Sequence, residues 1–128
     1  MSLKSSSLLI VDDDRLTTSL LEFVFSRQQM TVTALHDGQS ASGYIESHDP
    51  VDVVLMEVLL PQVNGFELLE DMRRHPTWKD TKVVMLSAKE SLADIQRAFA
   101  LGADDYLVKP IDPQEVLARV GRFFMRRP

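Results

Sequence analysis

The chain of 128 residues contains no cysteine, which excludes disulfide bonds, thiol catalysis and thiolate metal sites. It also has no apolar run that approaches the ~20 residues needed for a membrane-spanning helix. Before the acidic run at 12–14 there are only four consecutive apolar residues, too few for the core of a signal peptide. We therefore expect an intracellular, cytoplasmic protein that makes no membrane contact.

Positive charge is in short supply as well. The chain has 14 Lys and Arg residues against 19 Asp and Glu residues, and a formal net charge of -5. Such a surface repels phosphate backbones, so we expect no direct nucleic-acid binding by this domain. Apolar residues make up 45% and charged residues 26% of the chain, a balance typical of a globular domain with a buried core. The length fits a single domain over 1–128.

Short apolar, β-branched stretches alternate with segments of helical periodicity. We predict strands at 8–11, 31–35, 51–56, 82–86 and 105–108, and helices at 15–28, 38–47, 65–74, 91–101 and 113–125. The helix predictions depend on apolar side chains at helical spacing. We expect the buried side of the first helix to carry Leu16, Leu20, Phe23 and Val24. The buried side of the helix at 91–101 should carry Leu92, Ile95 and Phe99. A strand followed by a helix, five times over, favours a parallel sheet with helices on both faces.

The composition of the strands predicts their order. Leu8–Val11, Val53–Met56 and Val83–Leu86 are continuously apolar, as expected for strands that are covered on both faces. Thr31–Leu35 mixes polar and apolar residues, and Asp105–Lys109 is bracketed by charges, so both suit the edges of the sheet. We therefore predict an α/β protein, a flavodoxin-like (βα)5 three-layer sandwich with strand order 2-1-3-4-5.

Chemically active side chains follow the ends of the predicted strands. They are Asp12, Asp13 and Asp14 after the first strand, Glu57 after the third, Ser87 and Ala88 after the fourth, and Lys109 after the fifth. In an open parallel sheet of this order, ligands bind at these carboxyl ends, between strands 1 and 3. Clustered carboxylates favour a hard cation such as Mg²⁺, while a lysine and a hydroxyl can bind phosphoryl oxygens. We expect Asp14 to cap the following helix.

Four sequence motifs occur in one order over about residues 7–125. They are LLIVDDD at 8–14, DVVLMEVLLPQVNG at 52–65, VVMLSA at 83–88 and ALGADDYLVKP at 100–110. The chain resembles the CheY-like receiver domain of bacterial two-component response regulators. The resemblance implies a regulatory domain rather than an enzyme. Such a domain is switched by phosphorylation and binds Mg²⁺.

The resemblance also implies roles for individual residues. The metal ligands would be Asp12, Asp13, Glu57 and the backbone carbonyl of Leu59. The phosphoryl group would be bound by Ser87, Ala88 and Lys109. The conformational switch would consist of Ser87 and Tyr106. Where the family has its phosphoacceptor aspartate, this chain has Glu57. Its stem is longer by about 1.5 Å, and a displacement of roughly 1 Å can reduce a transfer rate 10²-fold. We expect a poor phosphoacceptor, weakened Mg²⁺ binding, and a domain resting in an active-like or fixed state.

The expected partners also come from the resemblance. They are a sensor histidine kinase, if Glu57 still accepts a phosphoryl group, and an output domain or downstream protein that binds the helix 4–strand 5–helix 5 face within 91–125. A homodimer could use the same face, where Arg119, Arg122, Arg126 and Arg127 lie beside Phe123. Two alternatives stay open: a Mg²⁺-dependent phosphohydrolase or phosphotransferase with Asp12 or Asp13 as nucleophile, and an interaction domain with a vestigial acidic cluster.

Overall fold

The computed structural model describes residues 5–124, in which strands and helices alternate along the chain. The elements are β1 (Ser7–Val11), α1 (Arg15–Ser26), β2 (Thr31–Leu35), α2 (Gly38–Ser47), β3 (Val53–Glu57), α3 (Gly65–Arg74), β4 (Lys82–Ser87), α4 (Leu92–Ala100), β5 (Asp105–Val108) and α5 (Pro113–Gly121), followed by a 3₁₀ turn (Arg122–Phe124). Within 5–124, no helix has the length and apolar character needed to cross a membrane.

The strands form one parallel sheet in the order β2-β1-β3-β4-β5, which confirms the predicted topology. In β1, Leu9 pairs with Thr33 of β2 on one side and with Val54 of β3 on the other. The central strands β1, β3 and β4 are almost wholly buried, whereas β2 at the edge is only partly buried. Strand β5 at the other edge is mostly buried, so the degree of burial marks only one of the two edge strands.

Alternate side chains of the sheet enter two separate hydrophobic cores. Leu9 and Met85 pack on one face against α2, α3 and α4, while Ile10 and Leu55 pack on the other face against α1 and α5. Trp78, in the connection between α3 and β4, is fully buried in the first core. The molecule therefore has the predicted three layers.

A polar side chain caps the N-terminus of every helix from α1 to α5. The caps are Asp14, Asp37, Asn64, Ser91 and Asp112, and each accepts a hydrogen bond from a backbone N–H of the first helical turn. Such caps satisfy N–H groups that have no partner within the helix. Asp14 thus has its predicted role, and the caps fix the loops that carry the strand-end residues into the helices.

The prediction of which apolar stripe of α1 is buried was wrong. Leu16 is 77% and Phe23 60% exposed, and Leu20 is also exposed. Helix α1 instead buries Leu21 and Phe25, with Val24 the one member of the predicted stripe that enters the core. Because α1 carries apolar residues on more than one side, their spacing alone does not select the side that packs on the sheet.

Helix α4 shows the same outcome. Leu92 and Phe99, which were expected to pack inward, are 69% and 46% exposed, and Ile95 is only partly buried. The one residue of α4 that is fully buried is the small Ala98. This helix therefore lies on the sheet with a shallow contact and leaves a large part of its apolar surface uncovered.

Several element boundaries also differ from the prediction. Helix α1 ends at Ser26 rather than 28, because the chain turns and Gln29 takes a positive φ of 63°. Strand β3 begins at Val53 rather than 51, since the backbone N–H and the side chain of Asp52 bond to Ser7. Helix α5 gives way to the 3₁₀ turn after Gly121, and the predicted end at 125 lies outside the described residues.

Candidate functional site

Three predicted site residues from distant parts of the chain meet at the carboxyl ends of the strands. The Nζ atom of Lys109 lies 2.7 Å from Oδ2 of Asp12 and 2.9 Å from Oε1 of Glu57. Asp12 extends the β1–β2 ladder, as its N–H donates to the carbonyl of Leu35, and Glu57 is the last residue of β3. The N–H of Lys109 donates to the carbonyl of Ser87 at 2.8 Å, which fixes the lysine beside β4. Of the side chains expected to converge here, those of Asp12, Glu57 and Lys109 are in direct contact.

The remaining oxygen of each carboxylate is also hydrogen-bonded. Oδ1 of Asp12 accepts from the N–H of Asp14 at 2.9 Å, and Oε2 of Glu57 accepts from the N–H of Leu59 at 3.0 Å. Asp12 is 0% and Glu57 5% exposed. All four carboxylate oxygens of this pair are thus engaged inside the chain. Asp12, a candidate nucleophile of the phosphohydrolase alternative, is fully buried, and each of its oxygens accepts a hydrogen bond.

Burial and ion pairing act in opposite directions at this site. Burial raises the pKa of Asp12, although the hydrogen bond from Lys109 counteracts it. Burial alone would lower the pKa of Lys109, but its hydrogen bonds to Asp12 and Glu57 outweigh this effect and hold the pKa above the ordinary 10.5. Lys109 is therefore an ammonium ion placed between two acidic side chains.

The predicted phosphoryl-binding residues surround this ion cluster. Ser87 is fully buried at the end of β4, and its Oγ accepts a hydrogen bond from the N–H of Lys89 at 3.1 Å. Ala88 and Lys109 line a surface cavity of about 420 Å³, whose other side is formed by Leu16 and Leu20 of α1. A solute can therefore approach the lysine between Ala88 and α1.

Tyr106, the predicted switch residue, is directed into the protein. It is 6% exposed, and its hydroxyl donates to the carbonyl of Lys89 at 2.7 Å. Burial raises the pKa of Tyr106 above the ordinary 10.0. Because the N–H of Lys89 bonds to Ser87, the backbone of Lys89 links the two predicted switch residues.

The predicted metal ligands do not all come together. Asp13 is exposed, and Leu59 approaches Glu57 through its N–H, while its side chain is 53% exposed. Among residues 5–124 there is no group of three or more His, Asp or Glu side chains placed to hold a metal ion. The metal set of Asp12, Asp13, Glu57 and the Leu59 carbonyl stays a prediction.

Two glycines that the sequence analysis missed shape the loop behind Glu57. A Cβ on Gly65 would lie 2.3 Å from the carbonyl oxygen of Glu57, and one on Gly38 would lie 1.8 Å from that of Val63. Neither position has room for a side chain. Lys89 was missed as well, because it acts through backbone groups, for which the residue type gives no signal.

The α4–β5–α5 surface combines exposed apolar side chains with an ion-pair cluster. Val108 of β5 is 37% exposed, and Leu92 and Phe99 of α4 are exposed as well. Arg119 binds both oxygens of the buried Asp105 at 2.8 and 3.0 Å, and Arg122 binds one at 3.2 Å. Arg122 also lies over the ring of Phe123, at 4.5 Å from its centre. These arginines are thus held against β5, while Arg126 and Arg127 lie outside the described residues.

Comparison with known proteins gives a match to one family. The model described as "Response regulator receiver domain" matches residues 8–121. The chain is 38% identical over 122 residues to the transcriptional regulatory protein CpxR of Klebsiella pneumoniae, covering 95% of this chain and 50% of the relative. It is 36% identical over 116 residues to the regulatory protein VanRc of Enterococcus gallinarum, covering 91% and 48%. The chain thus spans about half the length of these relatives, both of which are named as regulatory proteins.

Solved structures give the same result for the fold. The chemotaxis response regulator CheY4 of Vibrio cholerae superimposes with a TM-score of 0.86 at 27% identity, covering 94% of this chain and 99% of that one. A receiver domain of the Francisella response regulator 1452 superimposes with a TM-score of 0.85 at 28% identity, covering 94% and 97%.

Proposed function

The chain belongs to the response regulator receiver domain family, and from this premise we propose that Glu57 holds its strand-end site in one fixed state. In this function the site is not reset by phosphoryl transfer. The observation that carries the proposal is the double attachment of Glu57, through Oε1 to Lys109 at 2.9 Å and through Oε2 to the N–H of Leu59 at 3.0 Å. We also propose that the receiver domain comprises residues 1–128.

Glu57 is poorly suited to accept a phosphoryl group. A nucleophilic carboxylate needs an oxygen that is free and aligned with the phosphorus atom, and a misplacement of roughly 1 Å can cost 10²-fold in rate. Both oxygens of Glu57 are hydrogen-bonded, and the extra methylene moves them by about 1.5 Å relative to an aspartate. The exposed face of the site therefore presents the lysine rather than a reactive carboxylate.

The same contacts support a fixed conformation. Glu57 engages Lys109, which the family resemblance assigns to the phosphoryl group, but a carboxylate lacks the additional charge and the third oxygen of a phosphoryl. Ser87 bonds to the backbone of Lys89, and Tyr106 is held in its buried position by the same residue. In a two-state domain, contacts made in only one state shift the population toward that state.

Mg²⁺ would supply charge neutralisation for phosphoryl transfer when bound. Its ligands would be Asp12, Asp13, Glu57 and the carbonyl of Leu59, whose oxygens match the donor preference of this ion. Asp12 and Glu57 already share Lys109, however, so a metal ion at these carboxylates would compete with the lysine. We therefore propose a receiver with weakened Mg²⁺ affinity.

The partner of this domain would bind the α4–β5–α5 surface. Leu92, Phe99 and Val108 supply exposed apolar area that a partner could cover. Since the relatives named above are regulators about twice as long, we propose an output domain or a downstream protein as the partner. A homodimer would use the same surface, and a sensor histidine kinase would act only on a phosphorylatable form.

Intact-mass spectrometry after incubation with Mg²⁺ and a small phosphodonor tests the proposal. We expect no adduct on the wild-type protein, and in Glu57→Asp a gain of one phosphoryl group, about 80 Da, at a rate at least roughly 100-fold higher. Glu57→Gln, which cannot form an acyl phosphate, is the control for adducts elsewhere. A stoichiometric adduct on Glu57 of the wild-type protein would contradict the proposal.

A further inference from the structure

We propose that Arg97 is a positioning residue that fastens α4 to α3, so that the exposed apolar side chains of α4 follow the loop behind Glu57 (residues 58–64). A second arginine, Arg73, completes the attachment from the side of α3. This inference rests on the proposed function in one respect, namely that α4 carries part of the partner surface. It goes further because it names the residues that join the strand-end site to that surface.

Helix α4 depends on contacts other than its own burial in the core. Ala98 is the one residue of this nine-residue helix that is fully buried, while Leu92 and Phe99 are exposed. A helix of this length is not stable by itself in water, so tertiary contacts must hold it in place. The side chains that fasten α4 therefore also decide where its exposed apolar residues lie.

The first attachment runs from α4 to α3. The guanidinium carbon of Arg97 lies 4.5 Å from the ring centre of Phe66, the second residue of α3. A cation in this position is attracted by the negative face of the ring. Phe66 itself is buried in the first hydrophobic core. Arg97 therefore joins a helix with little buried surface to a fixed point of the core.

The second attachment runs from α3 to the end of α4. Arg73 of α3 donates to the carbonyl of Gly102 from Nε at 3.0 Å and from Nη2 at 2.6 Å. Gly102 belongs to the turn that ends α4, because its N–H donates to the carbonyl of Phe99. Its φ is 105°, and a Cβ there would lie 2.8 Å from Nε of Arg73. The turn and the arginine are thus in close contact, and α4 is held at its C-terminal end.

Phe66 is also connected to Glu57 through the backbone. The residue before it, Gly65, donates its N–H to the carbonyl of Val58 at 2.8 Å, and a Cβ on Gly65 would overlap the carbonyl oxygen of Glu57. The backbones of Glu57 and Gly65 are therefore in direct contact. Packed contacts of this kind can carry energetic coupling between two sites. A displacement of Glu57 should thus move Phe66 and, through Arg97, helix α4.

Amide hydrogen exchange, followed by mass spectrometry, measures the attachment of α4. The rate over residues 92–100 is compared with the rate over β1, which reports opening of the whole domain. We expect exchange in α4 to rise about 2- to 5-fold in Arg97→Ala, which corresponds to the loss of one exposed cation–π contact. Alanine is the better helix former, so the change of residue type alone would slow this exchange.

Arg73→Lys tests the second attachment. Lysine keeps the charge but lacks the planar fork of donors that reaches Gly102, so exchange in α4 should rise by at least about 2-fold. Arg74→Ala is the matched control, because the side chain of Arg74 is 74% exposed and pairs with Glu70 of its own helix. Its loss should leave exchange in α4 unchanged.

The inference is overturned if exchange in α4 keeps its wild-type rate in Arg97→Ala or in Arg73→Lys, or rises there no more than exchange in β1. If Arg73→Lys does not fold, Arg97→Ala decides the question, since Arg97 is exposed and its loss should be tolerated.

The connection to Glu57 is tested with Glu57→Asp in two backgrounds. The shorter side chain withdraws the carboxylate by about 1.5 Å, which releases the N–H of Leu59 in the loop and should raise exchange in α4 relative to β1. In the Arg97→Ala background this additional rise should be at least roughly twofold smaller, because contacts in one chain of interactions are not additive. A rise of full size in that background would show that α4 responds by another route, such as the backbone of Lys89, and would overturn the inference. Wild-type exchange of α4 in Glu57→Asp would overturn it as well.

These measurements use no phosphodonor, so their outcome is separable from that of the proposed function. A wild-type protein that is phosphorylated on Glu57 but shows the expected exchange rates removes the proposed function and leaves the inference. An unphosphorylated protein in which α4 does not respond to the loss of Arg97 removes the inference alone.

Discussion

Two glycines of α2 provide a sharp test of how the loop behind Glu57 is packed. Gly38, at the start of the helix, is buried, and a Cβ there would lie 1.8 Å from the carbonyl oxygen of Val63. Gly43, one and a half turns further on, is exposed, and a Cβ there meets no atom within 4 Å. We expect Gly38→Ala and Gly43→Ala to change the free energy of unfolding in opposite directions.

The magnitudes follow from these distances. At Gly43 the alanine only replaces a poor helix former, which should stabilise the protein by about 0.5–1 kcal/mol. At Gly38 the carbonyl oxygen of Val63 must retreat by roughly 1.5 Å to reach ordinary van der Waals contact, and overpacking of a fitted site typically costs about 1–3 kcal/mol. The two variants should therefore differ by about 1.5–4 kcal/mol.

The cost at Gly38 should also reach the functional site. The N–H of Gly38 donates to the carbonyl of Pro61, in the loop between β3 and α3. The N–H of Gly65 donates to the carbonyl of Val58 and closes this loop. The same loop carries the N–H of Leu59 that holds Glu57. A shift of Val63 in Gly38→Ala should therefore loosen Glu57, whereas Gly43→Ala should leave it in place.

Denaturant unfolding followed by Trp78 fluorescence measures the difference. Trp78 is fully buried and its indole N–H donates to the carbonyl of His48, so its emission reports global unfolding. Trp78 precedes β4 and so lies near the N-terminal ends of the strands, whereas Glu57 lies at a C-terminal end. Its emission is therefore not directly affected by changes at the site. A Gly38→Ala protein as stable as Gly43→Ala would show that the loop yields freely, and would refute the reasoning.

Two further predictions concern hydrogen bonds of single side chains. Tyr106→Phe removes the bond to the carbonyl of Lys89 and should cost about 1 kcal/mol, with faster amide exchange between β4 and α4; unchanged exchange would speak against a link through Lys89. Burial raises the pKa of Tyr106 above the ordinary 10.0. An absorbance titration of the wild-type protein should therefore show a phenol that ionises above this value, and the titration of the variant should not. The hydrogen bond from Ser40 lowers the pKa of Asp37, so the capping charge adds stability above the ordinary value of 3.8 and loses it as the pH falls through the lower folded-state value. Asp37→Asn keeps a capping oxygen without this titration, so its Tm should fall less steeply on acidification, and parallel pH profiles would contradict the assignment.

The topology was predictable because the composition of a strand correlates with its burial. Strands covered on both faces, such as Val53–Glu57, contain few polar residues, whereas the edge strand Thr31–Leu35 keeps its threonines. The order of the strands then places the residues that follow them at one edge of the sheet. For this reason Asp12, Glu57 and Lys109 could be brought together from the sequence alone.

The packing of individual helices was harder to predict. In α1, Leu16 and Phe23 have the spacing of a buried stripe but are exposed, and Leu21 and Phe25 occupy the core. When a helix carries apolar residues on two sides, their spacing does not show which side faces inward. The exposed Leu92 and Phe99 of α4 led to the same error.

The details of the site were unpredictable where backbone groups or strand geometry decide them. Asp12 still follows the pleat of β1, as shown by its bond to the carbonyl of Leu35, and successive side chains of a strand point to opposite sides. Asp13 is accordingly exposed while Asp12 is buried, so the two consecutive acids lie in different environments. The lysine that joins Asp12 to Glu57 then compensates a pair of carboxylates rather than a group of three. A single ammonium ion can neutralise a large part of that charge. The extra methylene of Glu57 extends its carboxylate to the lysine. For this reason we expect Glu57, rather than a metal ion, to determine the state of the site.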